Sequence, residues 1–401
     1  MKFIQSDFKT IQISLYMIDY DDVKKRAYRF LLPKLLTSHT EKLNTRIDMS
    51  KHLQDLYGAL LGGRTYYLAN LNVINIACQI VNPQIVNEST LLKDTIDLFL
   101  DMLDRKTLFN EKIFNEEKRM LIEQWDSIKD QKRLYANTKF NESFYGKHPF
   151  GYPQSGYKSD IEAITLEDMY DYFKDVISSN TISIYINGYT SDLETLKKLE
   201  VFEQNINHKI KFSQILFNEP KDVIETIDMK QSMIKIGYEL PIFRNDSLYE
   251  AAIMLDLMIG GYVESLMFKI IREEMGLCYD VRSSYDATQG VMIISSGVDQ
   301  KRTDEAIFHM KKMIESPLDY EFNEEKLELA KQFVTHQIKS SYDDQGAMTS
   351  RSFYDDLYGT NLTMEEKIQK YLNVSFEDVL LAHKKLKLNT VYVLTGDNHD
   401  H

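Results

Sequence analysis

A short segment of this chain returns about 200 residues later, and others follow it in the same order. Phe114-Asn115-Glu116-Glu117-Lys118 recurs as Phe322-Asn323-Glu324-Glu325-Lys326, an offset of 208. Ser143-Phe144-Tyr145 recurs as Ser352-Phe353-Tyr354, and Asn180-Thr181 as Asn389-Thr390, both at 209. Thr165-Leu166-Glu167-Asp168 resembles Ser375-Phe376-Glu377-Asp378, at 210. Helix-start chemistry, a Ser or Thr with an acid three residues on, explains one such pair. It does not explain four in order at a nearly constant spacing. A 401-residue chain with this pattern is a duplication of one unit of about 200 residues.

Hydrophobic periodicity fills in the unit. Gln12–Ile18 alternates as a strand, and Asp21–Leu36 has helical spacing that Pro33 is expected to kink or interrupt. Tyr66–Leu71 and Val73–Val81 read as paired strands, Leu91–Leu103 and Asn115–Asp130 as amphipathic helices, and Thr181–Ile186 as a closing strand. The second half repeats the order with strands at Ser232–Tyr238, Leu277–Tyr285, Val291–Ser296 and Thr390–Leu394. The expected fold class is α+β: tandem duplicated α/β-roll domains, each a mostly antiparallel sheet with helices packed on one face. The expected division is residues 1–204, a polar linker over 205–223, and residues 224–401.

Composition excludes several functions. The net charge is −13, which disfavours nucleic acid and anionic membranes as partners and permits cationic peptides. Two cysteines, Cys78 and Cys278, provide neither a disulfide framework nor a thiolate zinc site. No apolar run is long enough to span a membrane, and Met1–Thr10 has no signal-peptide core, so the expected location is the cytoplasm. There is no G-x-S-x-G and no phosphate-binding G-x-x-x-x-G-K-[ST].

Three segments carry a family resemblance. They are Tyr145-Gly146-Lys147-His148-Pro149-Phe150-Gly151 with Gly156, the run Ile270-Ile271-Arg272-Glu273-Glu274-Met275-Gly276-Leu277-Cys278-Tyr279, and Phe114–Trp125. Together they resemble the insulinase/pitrilysin family of zinc peptidases, particularly its smaller processing-peptidase-like subunits. The resemblance implies a metal site built on His-x-x-Glu-His. Two imidazoles four apart lie on one helical face, the Glu acts as general base, and a distal Glu is the third ligand. Here that window reads Phe30-Leu31-Leu32-Pro33-Lys34. Phe30, Pro33 and Lys34 stand where the ligands and base are required. Glu123, seven residues after Glu116, matches the third-ligand position and is expected to be an ordinary helix-face carboxylate. The first seven histidines contain no pair three or four apart, and His399-Asp400-His401 is a tail with no supporting shell. No metal or other cofactor is expected in this chain.

The second-half motif departs less. The resemblance implies that Arg272 and Tyr279 face a metal across a closed chamber. There the phenol donates to the oxyanion of the attacked carbonyl, and the guanidinium holds substrate carbonyls. Both types of donor keep their protons at neutral pH. Gly58-Ala59-Leu60-Leu61-Gly62-Gly63 stands where family members add an extended peptide to an edge strand; a glycine-rich turn between helix and strand is the simpler explanation, and these residues are not counted among the site residues. The expected function is therefore that of the non-zinc, substrate-binding subunit of a heterodimeric, peptide-processing zinc metallopeptidase of bacterial type. Zinc is then expected on a homologous partner subunit, with a peptide as substrate. The alternatives are an inert scaffold on the same fold and a stand-alone peptide-binding protein.

Overall fold

The computed structural model describes residues 1–104 and 109–396. Its strands form two five-stranded sheets. The first is built from β1 (Lys2–Ile4), β2 (Thr10–Tyr20), β3 (Leu60–Leu68), β4 (Leu71–Val81) and β5 (Thr181–Asn187). The second is built from β6 (Lys221–Thr226), β7 (Gln231–Glu239), β8 (Cys278–Asp286), β9 (Val291–Asp299) and β10 (Lys387–Thr395). Their orders are the same: β1-β5-β2-β4-β3 and β6-β10-β7-β9-β8. In each, only the first neighbouring pair is parallel. The others are antiparallel. The duplicated α+β architecture is therefore present strand for strand.

The helices that matter here are α1 (Arg26–Ser38), α2 (Leu91–Leu103), α3 (Glu111–Asp126), α4 (Lys132–Tyr145) and α5 (Leu166–Ser179) in the first half. Those of the second half are α6 (Tyr249–Asp256), α7 (Thr303–Glu315), α8 (Glu324–Ser340), α9 (Gln345–Tyr358) and α10 (Phe376–His383). Alternate residues of β2 (Ile11, Ile13, Leu15 and Met17) pack against Leu35 of α1, Phe99 of α2 and Phe173 of α5. Ile234 and Ile236 of β7 do the same with Leu255 of α6, Met310 of α7 and Leu327 of α8. Burying one face of a pleated sheet under helices is what such alternation requires. The repeat extends to hydrogen bonds. Thr165 and Asp168 at the start of α5 form a reciprocal capping box of 3.0 and 3.1 Å, and Ser375 and Asp378 at α10 form the same box at the same distances.

The opposite face of each sheet carries one further helix, drawn from the other half of the chain. Phe353 of α9 stacks on Tyr16 of β2, ring centroids 3.9 Å apart, beside Tyr185 of β5. Phe140 and Phe144 of α4 pack with Tyr392 of β10 and Val291 of β9. The compact units are discontinuous as a result. One comprises Met1–Ser127, Pro153–Lys211 and Ser341–Asn361; the other comprises Ile128–Tyr152, Phe212–Ser340 and the chain from Leu362 on. This differs from the contiguous division 1–204 and 224–401, which follows the duplication but not the packing. Within 205–223, Ile215 is buried with Tyr145 and Phe150, and β6 already starts at Lys221.

Pro33 does not end its helix: α1 runs from Arg26 to Ser38. A proline removes the bond to the carbonyl four residues back. That carbonyl, on Arg29, instead accepts from the Thr65 hydroxyl of β3 at 2.8 Å. The ring also finds space, because β3 carries Gly63 beside it. A Cβ there would stand 2.7 Å from Pro33 Cβ. A side chain at 63 would press on the Cβ and backbone of residue 33, so the close approach of β3 to α1 requires glycine at 63.

His39 follows α1 and ties it to the start of α3. Its Nε2 accepts from the Asn110 backbone N–H at 2.8 Å, so the ring proton sits on Nδ1. Burial pushes its pKa down from 6.5 to about 4. The fold thus holds this ring neutral, whereas the unfolded chain protonates it below pH 6.5. The stabilisation is complete above pH 6.5 and is lost as pH falls from 6.5 towards 4. Between pH 7 and pH 5 the expected loss is about 2 kcal/mol. Asp256, whose pKa burial raises to about 6, works in the opposite sense as pH falls. The test is therefore the difference between wild type and His39→Gln in denaturant unfolding at the two pH values. The difference should shrink at pH 5; equal differences at both would contradict this account.

Candidate functional site

The second-half motif becomes a helix–turn–strand unit. Phe268–Glu274 is a wide helical turn, closed by the Met275 N–H donating to Ile270 O at 2.9 Å. Gly276 takes a φ of +57°, the left-handed conformation that reverses the chain after a helix. Leu277 then drops into the core, its N–H bonded to Ile271 O at 2.9 Å. Arg302 buttresses the turn by donating to Gly276 O at 3.2 Å while its guanidinium pairs with Glu305. The ladder between β8 and β9 slips between Cys278 and Asp280, so Tyr279 sits on a bulge.

These constraints bring the two expected residues together. The Arg272 guanidinium carbon lies 5.9 Å from the Tyr279 ring centroid and 4.2 Å from that of Phe268. Tyr279 is 82% exposed, and β8 ends its sheet. The result is a cation and a phenol held side by side at an open strand edge. Such a pair can donate to carbonyl or oxyanion oxygens of a ligand.

The metal-motif window has a different character. Phe30 is half-buried against the core and offers no donor. The ammonium of Lys34 lies 5.4 Å from the Phe30 ring centroid. Pro33 is buried against Gly63. Glu123 points to solvent and pairs with Arg119, one turn earlier, at 2.6 Å. The neighbouring Glu117 is committed to Arg46 at 2.6 Å. An aromatic ring, a proline and an ammonium do not fit a zinc ion. Among the described residues no group of three His, Cys, Asp or Glu is placed to hold a metal. His399 and His401 lie outside the described residues.

The glycine-rich segment is a turn only at its start, where Gly58 takes a φ of +74°. Leu60–Gly63 is already strand, paired with Ile76–Gln79 of β4, and β3 ends its sheet. Gly62 has nothing within 4 Å of a Cβ position, so it faces open space, whereas Gly63 faces α1. Beside this strand lies a cavity of about 900 Å³ lined by Gln12, Ser14, Gln79, Gly62, Arg64 and Gln345. The floor is polar, and Gln345 is held there: its amide donates to Thr10 O and Asn187 O at 2.9 and 2.8 Å. The sequence concealed this floor, because Gln345 comes from the distant α9.

Comparison with known proteins agrees with this geometry. Residues 163–334 match the family described as Peptidase M16 inactive domain. A Bacillus subtilis protein named probable inactive metalloprotease YmfF is 23% identical over 97% of this chain and 93% of its own. A conserved Enterococcus faecalis protein of solved structure superposes with a TM-score of 0.86 at 22% identity, over 100% and 96% of the two chains. A Pseudomonas fluorescens structure described as a peptidase M16 inactive domain gives 0.81 at 15%, over 98% and 95%. Among the described residues no helix is long and apolar enough to cross a membrane. Residues 163–334 are thus similar to the peptidase M16 inactive domain, and the whole chain shares the duplicated fold of these structures without a His-x-x-Glu-His sequence.

Proposed function

We propose that this chain is the non-zinc, substrate-binding subunit of a heterodimeric zinc metallopeptidase that processes peptides in a bacterial cytoplasm. The observation that carries the reading is Tyr279. Its phenol is exposed, stands on a bulge beside Arg272, and has no hydrogen-bond partner among the described residues. A residue kept only for packing would be buried. The homologous partner would supply zinc, water and general base. In this reading the Tyr279 hydroxyl donates to the oxygen of the attacked carbonyl, and Arg272 holds a neighbouring substrate carbonyl. The exposed edge of β3 would bind the peptide as an added strand. The net charge of −13 favours cationic substrates and gives no purchase for nucleic acid.

The experiment is co-expression with a homologous chain that carries His-x-x-Glu-His. The purified complex should cleave an extended peptide that neither chain cleaves alone. A partner fully active alone, with no gain on mixing, would overturn the reading. The second reading, an inert scaffold on this fold, is favoured by the complete loss of donors in α1. It requires Arg272 and Tyr279 to be dispensable.

A further inference from the structure

A row of side chains crosses the second sheet on the face covered by α4. Lys235 of β7 pairs in register with Ser295 of β9, which pairs with Arg282 of β8, so the three point the same way. Arg133 of α4 reaches the same place. A cavity of about 80 Å³ opens among them, with Asn137 also on its wall. The volume is far below the roughly 300 Å³ at which pockets for drug-sized ligands begin, and suits a small ion rather than a nucleotide.

The charges do not balance there. Asp280 is the one carboxylate lining the cavity, and it takes Arg133 at 3.1 Å. Arg282 has neither an ion pair nor a hydrogen bond among the described residues. The Lys235 ammonium donates to Ser295 Oγ at 3.0 Å and lies 5.3 Å from the Phe140 ring centroid. It makes no ion pair with a carboxylate among the described residues. Burial, then Arg282 and Arg133, push its pKa down to about 8. Arg282 and Arg133 are exposed to solvent, so the unpaired charge matters most at the buried Lys235 ammonium. An anion would offset it, with ammonium, guanidinium and carboxamide donors converging on its oxygens.

We infer that this cavity is a binding site for a single oxyanion, held by Lys235, Arg282 and Arg133. A peptide carboxylate and free phosphate share this chemistry. The inference does not rest on the heterodimer reading, because the site lies within one compact unit and needs no partner.

The test is calorimetric titration of the full chain with inorganic phosphate at constant ionic strength. Wild type should bind saturably. Lys235→Met, which keeps the apolar stem, and Arg282→Gln, at the strand edge, should each weaken binding about 10–100-fold. No saturable binding by wild type, or unchanged affinity in a folded variant, overturns the inference. Should Lys235→Met fail to fold, Arg282→Gln alone decides. A second arm compares an extended peptide with a free C-terminal carboxylate to its amide. Tighter binding of the acid, lost in Arg282→Gln, names a peptide carboxylate as the occupant. Equal binding alongside phosphate binding names a free oxyanion. Neither ligand being sensitive to Arg282→Gln overturns the site.

Discussion

In an assembled complex with a zinc-bearing homologue, Tyr279→Phe should lower kcat by about 10²–10³, roughly 3–4 kcal/mol of transition-state stabilisation. The substitution keeps the ring beside Arg272 and deletes one exposed hydroxyl that has no hydrogen-bond partner among the described residues. Stability, heterodimer formation and the partner's zinc content should therefore be unchanged. Arg272→Ala should raise KM as well, since the guanidinium can serve more than one acceptor. It also loses its contact with Phe268. Glu123→Gln should leave turnover intact, because that carboxylate serves an exposed i,i+4 pair with Arg119. A Tyr279→Phe complex cleaving within roughly twofold of wild type would return the chain to the scaffold reading.

The second large effect concerns the fold. Arg29→Leu should destabilise the chain by about 3–5 kcal/mol. Arg29 is buried on α1, where its Nε donates to Asn72 Oδ1 at 2.9 Å and its Nη2 to Met17 O and Asn72 O at 3.1 and 2.9 Å. Nη1 donates to Asn180 Oδ1 at 3.0 Å. The guanidinium thereby joins α1, β2, β4 and the junction of α5 with β5. Nη1 also donates to the Tyr172 hydroxyl at 3.3 Å. A leucine fills much of the volume but leaves five buried acceptor contacts unmade. Arg29→Lys keeps the charge but not the planar fork, and should recover only part of the loss. Urea denaturation gives the number; a change below about 1 kcal/mol would show the network to be dispensable.

Much of this was legible in the sequence because it depends on local chemistry. The duplication, the capping boxes at Thr165 and Ser375, and the alternation of β2 and β7 all reflect neighbours within a few residues. What was hidden depends on distant partners. The apolar faces of Phe140-Phe144 and Phe353 declare burial but not beneath which sheet, so the exchange of α4 and α9 had no local sign. Pro33 reads as a break until Thr65 is known to satisfy the Arg29 carbonyl and Gly63 to make room. Gly62-Gly63 reads as a turn for the same reason. The Arg272–Tyr279 pair came from the family resemblance rather than from spacing; one turn and one bulge then bring the two residues side by side. Lys235 and Arg282 lie on different strands, and only the register of β7, β9 and β8 brings them into line.

The central claim is that this peptidase fold has given up its own metal. Metal analysis tests it most directly, on protein ending at Gly396 so that His399 and His401 cannot bind adventitiously. After dialysis against zinc, the isolated chain should hold no stoichiometric zinc and cleave no peptide, because Phe30, Pro33 and Lys34 offer no ligand set. One tightly held zinc per chain would contradict it.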